Sequence, residues 1–150
     1  MKILHICQYY HPGLGYQENL LPYYQSKLGN EVIVVTSDRI LPVMRNVKAA
    51  SIINYKPGEY EDNSVRIVRL KTTREFKNRF VFFKGLYEFL EVENPDYIFH
   101  HGLTSPSMYT VYKYKKAHRS SFLTIDNHSD LMISARNWLW KKVYYEFFWK

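Results

Sequence analysis

Short apolar runs alternate along this chain with stretches of helical period, and that alternation predicts its elements. Lys2 to Gln8 is an apolar run interrupted by His5 and predicts a buried strand. Gly13 and Gly15 follow, then a predicted helix from about Gln17 to Leu28 with Leu20, Leu21, Tyr24 and Leu28 on one side. Gly29 supplies its stop, and Pro22 inside it should kink the helix or delay its start. Glu31 to Thr36 is β-branched almost throughout, as a strand buried on both faces should be. Residues 39–63 have no firm period and predict a long connection, punctuated by Pro57-Gly58 and closed at Asp62-Asn63. Val65 to Leu70 is a third strand, with Arg66 and Arg69 facing different ways.

In the second half, Phe80, Phe83, Leu86, Tyr87 and Leu90 stand at helical spacing and predict a helix from about Arg79 to Glu93, ended by Pro95-Asp96. Tyr97 to His100 is a short strand, and Ser105-Pro106 is a helix start for a segment running to about Ala117. Ser121 to Ile125 is a fifth strand, and a final helical segment begins near Ile133. Five strands interleaved with helices define an α/β chain, with a doubly wound parallel sheet covered by helices on both faces. In strand order 3-2-1-4-5 the loops after the first, fourth and fifth strands share one edge, which should gather Gly15, His101 and His128.

Composition narrows the class. The 150 residues are 46% hydrophobic and 23% charged, the balance of one globular domain rather than a disordered chain. A formal charge of +7 suits phosphorylated small molecules, anionic lipid or nucleic acid, but no recognition-helix, RNP or zinc-finger pattern supports nucleic acid. Cys7 is the single cysteine, which excludes an internal disulfide, and its apolar run predicts a buried, inert thiol. No apolar stretch approaches the about 18 residues of a membrane span, so a cytoplasmic protein is expected.

The candidate chemistry sits after strands. In the first turn, Gly13 and Gly15 let backbone approach a ligand, and the following helix start offers N–H groups to an anion. A tight turn that needs glycine for backbone reasons alone is the competing explanation. As a dinucleotide fingerprint the turn fails, because Glu18 stands where a small residue is needed and would repel a pyrophosphate. Asp38 stands where a ribose-binding acid could, but Ser37-Asp38 after a strand is more often a turn. His101 follows the fourth strand and His128 the fifth, with Asp126 and Asp130 flanking the latter. His100, His101 and His128 lack the helical i, i+4 spacing of a metal pair, so no metal is expected.

Four segments in order resemble glycosyltransferase family 4, on its N-terminal acceptor-side domain of the GT-B fold. Gly15-Tyr16-Gln17-Glu18 is similar to the family's Gly-Gly-x-Glu, and Gly29-Asn30-Glu31-Val32 to its Gly-His-Glu-Val. Pro95-Asp96-Tyr97-Ile98-Phe99-His100-His101 is similar to Pro-Asp-x-Ile-x-x-His, and Thr124-Ile125-Asp126-Asn127-His128 to a strand-then-His segment. Tyr16 departs from the second glycine and Asn30 from the histidine.

The resemblance implies a Rossmann-like domain, 1–150, of a retaining enzyme that moves a sugar from a nucleotide-sugar donor to a glycan or lipid-linked acceptor in bacterial surface polysaccharide synthesis. It implies His128 as the residue beside the donor sugar, Gly13 and Gly15 as the donor diphosphate loop, and Glu18 and His101 as acceptor or loop-organising residues. The nucleotide-sugar is a substrate and no cofactor is implied. The nucleotide belongs to a C-terminal domain, and the aromatic end of this chain is expected to precede it. Basic-aromatic stretches at Lys71–Lys84 and Tyr112–Lys116 suggest an anionic membrane surface at the inner leaflet, or simply solvated helix faces. The alternative is a stand-alone module that binds a phosphorylated ligand or a partner without catalysis.

Overall fold

The computed structural model of the protein describes residues 1–47, 53–77 and 80–126. Three apolar runs form the centre of a mixed α/β fold: β1 (Lys2–Ile6), β2 (Glu31–Ser37) and β4 (Val65–Leu70). With β3 (Gly58–Asp62), β7 (Tyr97–His101) and β8 (Phe122–Asp126) they make a six-stranded sheet in the order β3-β4-β2-β1-β7-β8. Every neighbouring pair is parallel except β3 with β4. The five strands expected from the sequence are β1, β2, β4, β7 and β8, in the expected order.

Strand alternation divides the interior into two layers. Leu4 and Ile6 of β1 join Ile33, Val35, Val68 and Ile98 on one face. That face is covered by α2 (Leu86–Glu93) through Leu86 and Leu90, and by α3 (Ser107–Ala117) through Val111 and Tyr114. Ile3 and Cys7 join Val32, Val34, Val65 and Ile67 on the other, where α1 (Gln17–Lys27) packs over β2 and β4. Burial pushes the Cys7 thiol up to about 12, the inert state expected of it. No helix among the described residues is long and apolar enough to cross a membrane.

Three expectations need correcting. The helix expected from Arg79 begins only at Leu86, because Phe80–Phe83 is a strand, β6, paired antiparallel with β5 (Thr72–Phe76) in a separate hairpin. Its Phe80 and Phe83 matched a helical period by accident: Val81 is the buried residue, and Phe82 is exposed. The connection 39–63 contains β3, which pairs with β4 across the two-residue turn Asn63-Ser64, both at positive φ. That backbone is the hairpin turn that asparagine tolerates.

The third correction concerns α1. Leu20, Tyr24 and Leu28, expected to be on its core side, are exposed, Leu28 by 80%, and Pro22 is the buried residue. The helix starts at Gln17 despite Pro22.

Leu90 and Leu28 therefore separate core from surface. Leu90→Ala should lower stability by about 3 kcal/mol through lost burial and a residual cavity, and Leu28→Ala by less than about 0.5. Urea denaturation of both variants checks this, and similar losses would mean that α1 buries its leucine row.

Candidate functional site

The parallel order brings the carboxyl ends of β1, β7 and β8 side by side, and three polar side chains there are bonded into one line. His5 lies in mid-β1 on the α1 face with no exposure. Its Nε2 meets Gln25 Oε1 of α1 at 2.6 Å, and its Nδ1 meets His101 Nε2 at 3.1 Å. His101 Nδ1 lies 2.7 Å from Asp126 Oδ2. His101 and Asp126 are register partners across β7 and β8, so the contact follows from the sheet itself. The second Asp126 oxygen accepts the Gly102 N–H at 2.8 Å. Gly102 holds φ +94, a conformation that leaves its N–H turned to the carboxylate and suits glycine.

Hydrogen counting gives this line two forms. With the Gln25 oxygen facing His5, His5 carries its proton on Nε2 and accepts on Nδ1. His101 must then donate from both nitrogens, as an imidazolium against the Asp126 carboxylate. With the Gln25 amide turned over, His5 donates from Nδ1, His101 accepts on Nε2, and both rings are neutral. One amide rotation thus accommodates one proton. Burial lowers the His5 pKa to about 4, opposed by the Gln25 bond and reinforced by His101.

His100 faces the other way. Its Nε2 lies 2.8 Å from Ser107 Oγ, which lies 2.7 Å from Ser105 Oγ at the start of α3. Ser105 therefore bonds Ser107 rather than capping the helix by its side chain. His100 and His101 open onto opposite faces and do not converge on one ion. Burial lowers the His100 pKa to about 4 as well.

Gly13 and Gly15 hold φ +74 and +75, and no protein atom approaches the Cβ position of either, so φ is what requires glycine here. They line a cavity of about 280 Å³ with Tyr10, Asn19 and Asp62. Asp62 accepts a hydrogen bond from the Tyr10 hydroxyl at 2.7 Å. Neither His101 nor Glu18 lines this cavity. Glu18 stands in the first turn of α1, which has no side-chain cap. His128 and Asp130 lie outside the described residues, so the expected convergence of Gly15 with His128 falls there too.

Sequence reasoning missed His5, Gln25 and Arg69. His5 interrupts an apolar run, and Arg69 follows Val65 and Ile67 on the buried face of its strand; a polar group in such a place must find partners. That signal was present. Arg69 is 3% exposed, donates from Nη1 to the Ser37 carbonyl and from Nη2 to the Tyr10 carbonyl, and its guanidinium stacks 4.7 Å from the Tyr55 ring centre. Tyr55 in turn bonds His11 Nδ1 at 2.5 Å.

No protein-family model, curated protein or solved structure matches this chain.

The two depressed histidines give the fold a pH dependence. The folded state holds His5 and His100 neutral down to about 4, whereas the unfolded chain protonates them near 6.5. Their stabilisation is therefore complete above pH ~6.5 and is withdrawn as pH falls towards ~4, on the order of 3 kcal/mol for each. Urea midpoints between pH 7 and pH 4 should fall steadily, and less steeply in His100→Asn. A flat profile would mean that these rings are not held neutral.

Proposed function

We propose that this chain is the Rossmann-like, doubly wound acceptor-side domain of a retaining glycosyltransferase that uses a nucleotide-sugar donor. The observation that carries the reading is the strand order β4-β2-β1-β7-β8, all parallel. Chain progression reverses between β1 and β7, and open α/β sheets bind ligands beyond the carboxyl ends of strands at such a reversal. The loop after β1 and the residues His101 and Asp126 belong to that edge.

In this reading the Gly13–Gly15 loop offers N–H groups to the donor diphosphate. Asp62 shares the cavity of the two glycines, so the diphosphate meets the loop on the side turned from that carboxylate. His128, two residues beyond β8, hydrogen-bonds the donor sugar. His101 and Asp126 fix the end of β8 from which His128 departs, a positioning role. The leaving phosphate takes the acceptor proton, so no second carboxylate is needed. The nucleotide base and ribose are held by a second domain, and the acceptor is a glycan or lipid-linked glycan of a bacterial surface polysaccharide.

Transfer assays on the full-length protein test this. His128→Ala should lower turnover by at least about two orders of magnitude, the scale of one lost transition-state contact, with an unchanged urea midpoint. Turnover within a few-fold of wild type would remove His128 from the site.

Contact with the inner face of the membrane belongs to the same reading. Within the basic-aromatic stretch 71–84, β5 and β6 pair antiparallel and are tied inward where the Tyr9 hydroxyl donates to Glu75 at 2.7 Å and the Val81 N–H donates to Gln8 Oε1 at 2.8 Å. Arg74, Phe76 and Phe82 are left on its exposed surface with Lys71, Lys77 and Lys84. On α3, Tyr109 and Tyr112 are exposed beside Lys113, Lys115 and Lys116. Liposome sedimentation should show binding to anionic but not neutral vesicles, weakened by salt and by Phe76→Ser with Phe82→Ser. Equal recovery in the supernatant for both lipids would remove membrane contact from the proposal.

A further inference from the structure

A cavity of about 640 Å³ opens beyond the carboxyl ends of β2 and β4, away from the His5–His101–Asp126 line. The two strand ends are tied there: the Asp38 N–H donates to the Leu70 carbonyl, and Asp38 Oδ1 accepts the Thr72 N–H. The cavity wall carries three cations, Arg39, Arg45 and Lys56, against two carboxylates, Asp38 and Glu75. Glu75 is already engaged, accepting from Arg45 Nη2 at 2.8 Å and from the Tyr9 hydroxyl at 2.7 Å. Arg39 Nε lies 3.6 Å from Asp38 and 3.9 Å from Glu75, too long for a close pair. The Lys56 ammonium has no partner among the described residues.

Arg69 lies behind this wall. Its guanidinium lies against Tyr55, which lines the cavity. Both its terminal nitrogens donate to backbone carbonyls, and among the described residues no carboxylate reaches it and its Nε has no partner. The open space that Arg69 itself lines is a smaller cavity of about 180 Å³, shared with Glu61 and Asp62, so its charge does not count towards the larger one. Three cations against two carboxylates, with the Lys56 ammonium unengaged among the described residues, leave the larger cavity positive. Asn54 and the two carboxylates are also groups that hold hydroxyls, while Ile40, Ile53 and Pro57 give the wall an apolar part.

We infer that this cavity binds a phosphorylated sugar, the phosphate facing Arg39 and Lys56 and the sugar hydroxyls facing Asn54, Asp38 and Glu75. The inference rests on the transferase reading only for its use, as the site of a phosphate-bearing acceptor; the binding itself follows from the charges.

Titration of the full chain with glucose 6-phosphate, glucose 1-phosphate, glucose and inorganic phosphate, followed by amide chemical shifts, tests it. At least one sugar phosphate should bind ten-fold or more tightly than both glucose and inorganic phosphate, and binding should weaken as salt rises. Arg39→Ala with Lys56→Ala, both exposed and outside the core, should weaken that binding at least ten-fold while leaving the urea midpoint unchanged. Sugar phosphates that bind no better than glucose, or binding that survives the double substitution, would overturn the phosphate assignment. Inorganic phosphate binding as well as the sugar phosphates would overturn the sugar part. His128→Ala should leave the titration unchanged, so loss of transfer with binding retained bears on the transferase reading alone.

Discussion

A histidine at the centre of the central strand constrains everything around it. His5 has no exposure and sits between two parallel neighbours, so each ring nitrogen must be bonded within the protein or its burial is heavily penalised. The partners come from three different elements: Gln25 of α1, His101 of β7 and, through His101, Asp126 of β8. One ring therefore fixes where α1 lies along the sheet and locks the ends of β7 and β8. Replacing His5 by an apolar residue would leave Gln25 and His101 facing it unpaired, so the group acts as a unit.

Arg69 is the counterpart on the same face of the sheet, two strands away on β4, with a different solution. His5 can be buried because it can be neutral; a guanidinium cannot be, and burial only pulls its pKa below the usual arginine range. It is held by two carbonyls and an aromatic ring instead of a carboxylate. One carbonyl is that of Tyr10, in the loop after β1, and the other that of Ser37, at the end of β2. The charge thus pins the loop that carries Gly13 and Gly15 to the end of the neighbouring strand. The bonded line on the β7–β8 side and the pinned loop on the β2–β4 side are consequences of which buried polar residue each strand contains.

The elements that could be read from the sequence are those whose pattern was set by burial on both faces. Val32–Val35 is apolar throughout and Val65, Ile67 and Val68 are buried because both faces of these strands are covered, and their strands and order followed. β3 was missed because Gly58-Glu59-Tyr60-Glu61-Asp62 is a polar edge strand, with Glu59 paired to Arg66 rather than buried in a core. Its only local signal was Asn63 at the turn. The β5–β6 hairpin was missed because a two-stranded ribbon anchored through Gln8 and Glu75 needs only one fully buried side chain, Val81, too few to show a period of two. In α1 the leucine row was misplaced because Tyr16, Leu20, Tyr24 and Leu28 form one exposed line, while the contacts to the sheet run through Pro22 and Gln25. Of the site, His101 was placed correctly at a strand end; the Asp126 bond that orients it depends on register, which no single strand reveals.

The distribution of charge around the sheet edge bears on how a transfer reaction could be arranged there. The glycine cavity contains the Asp62 carboxylate and among its lining residues no cation, so backbone N–H groups alone would have to favour an anion in it. Backbone dipoles stabilise a developing negative charge well when they are fixed in place, but they do not draw an anion from a distance as net charge does. The Arg39–Arg45–Lys56 wall does the reverse: its side chains are exposed, so they attract from a distance and orient loosely. A substrate anchored by its phosphate at the cationic wall would have its remaining hydroxyls free to extend along the sheet edge, past the ends of β2 and β1, towards Asp126 and the residues that follow it. Adjacent strands lie about 4.8 Å apart, so the three spacings from β2 to β8 amount to roughly 14 Å, longer than a single sugar. In the proposed transferase reading, that distance calls for an extended acceptor rather than a compact one.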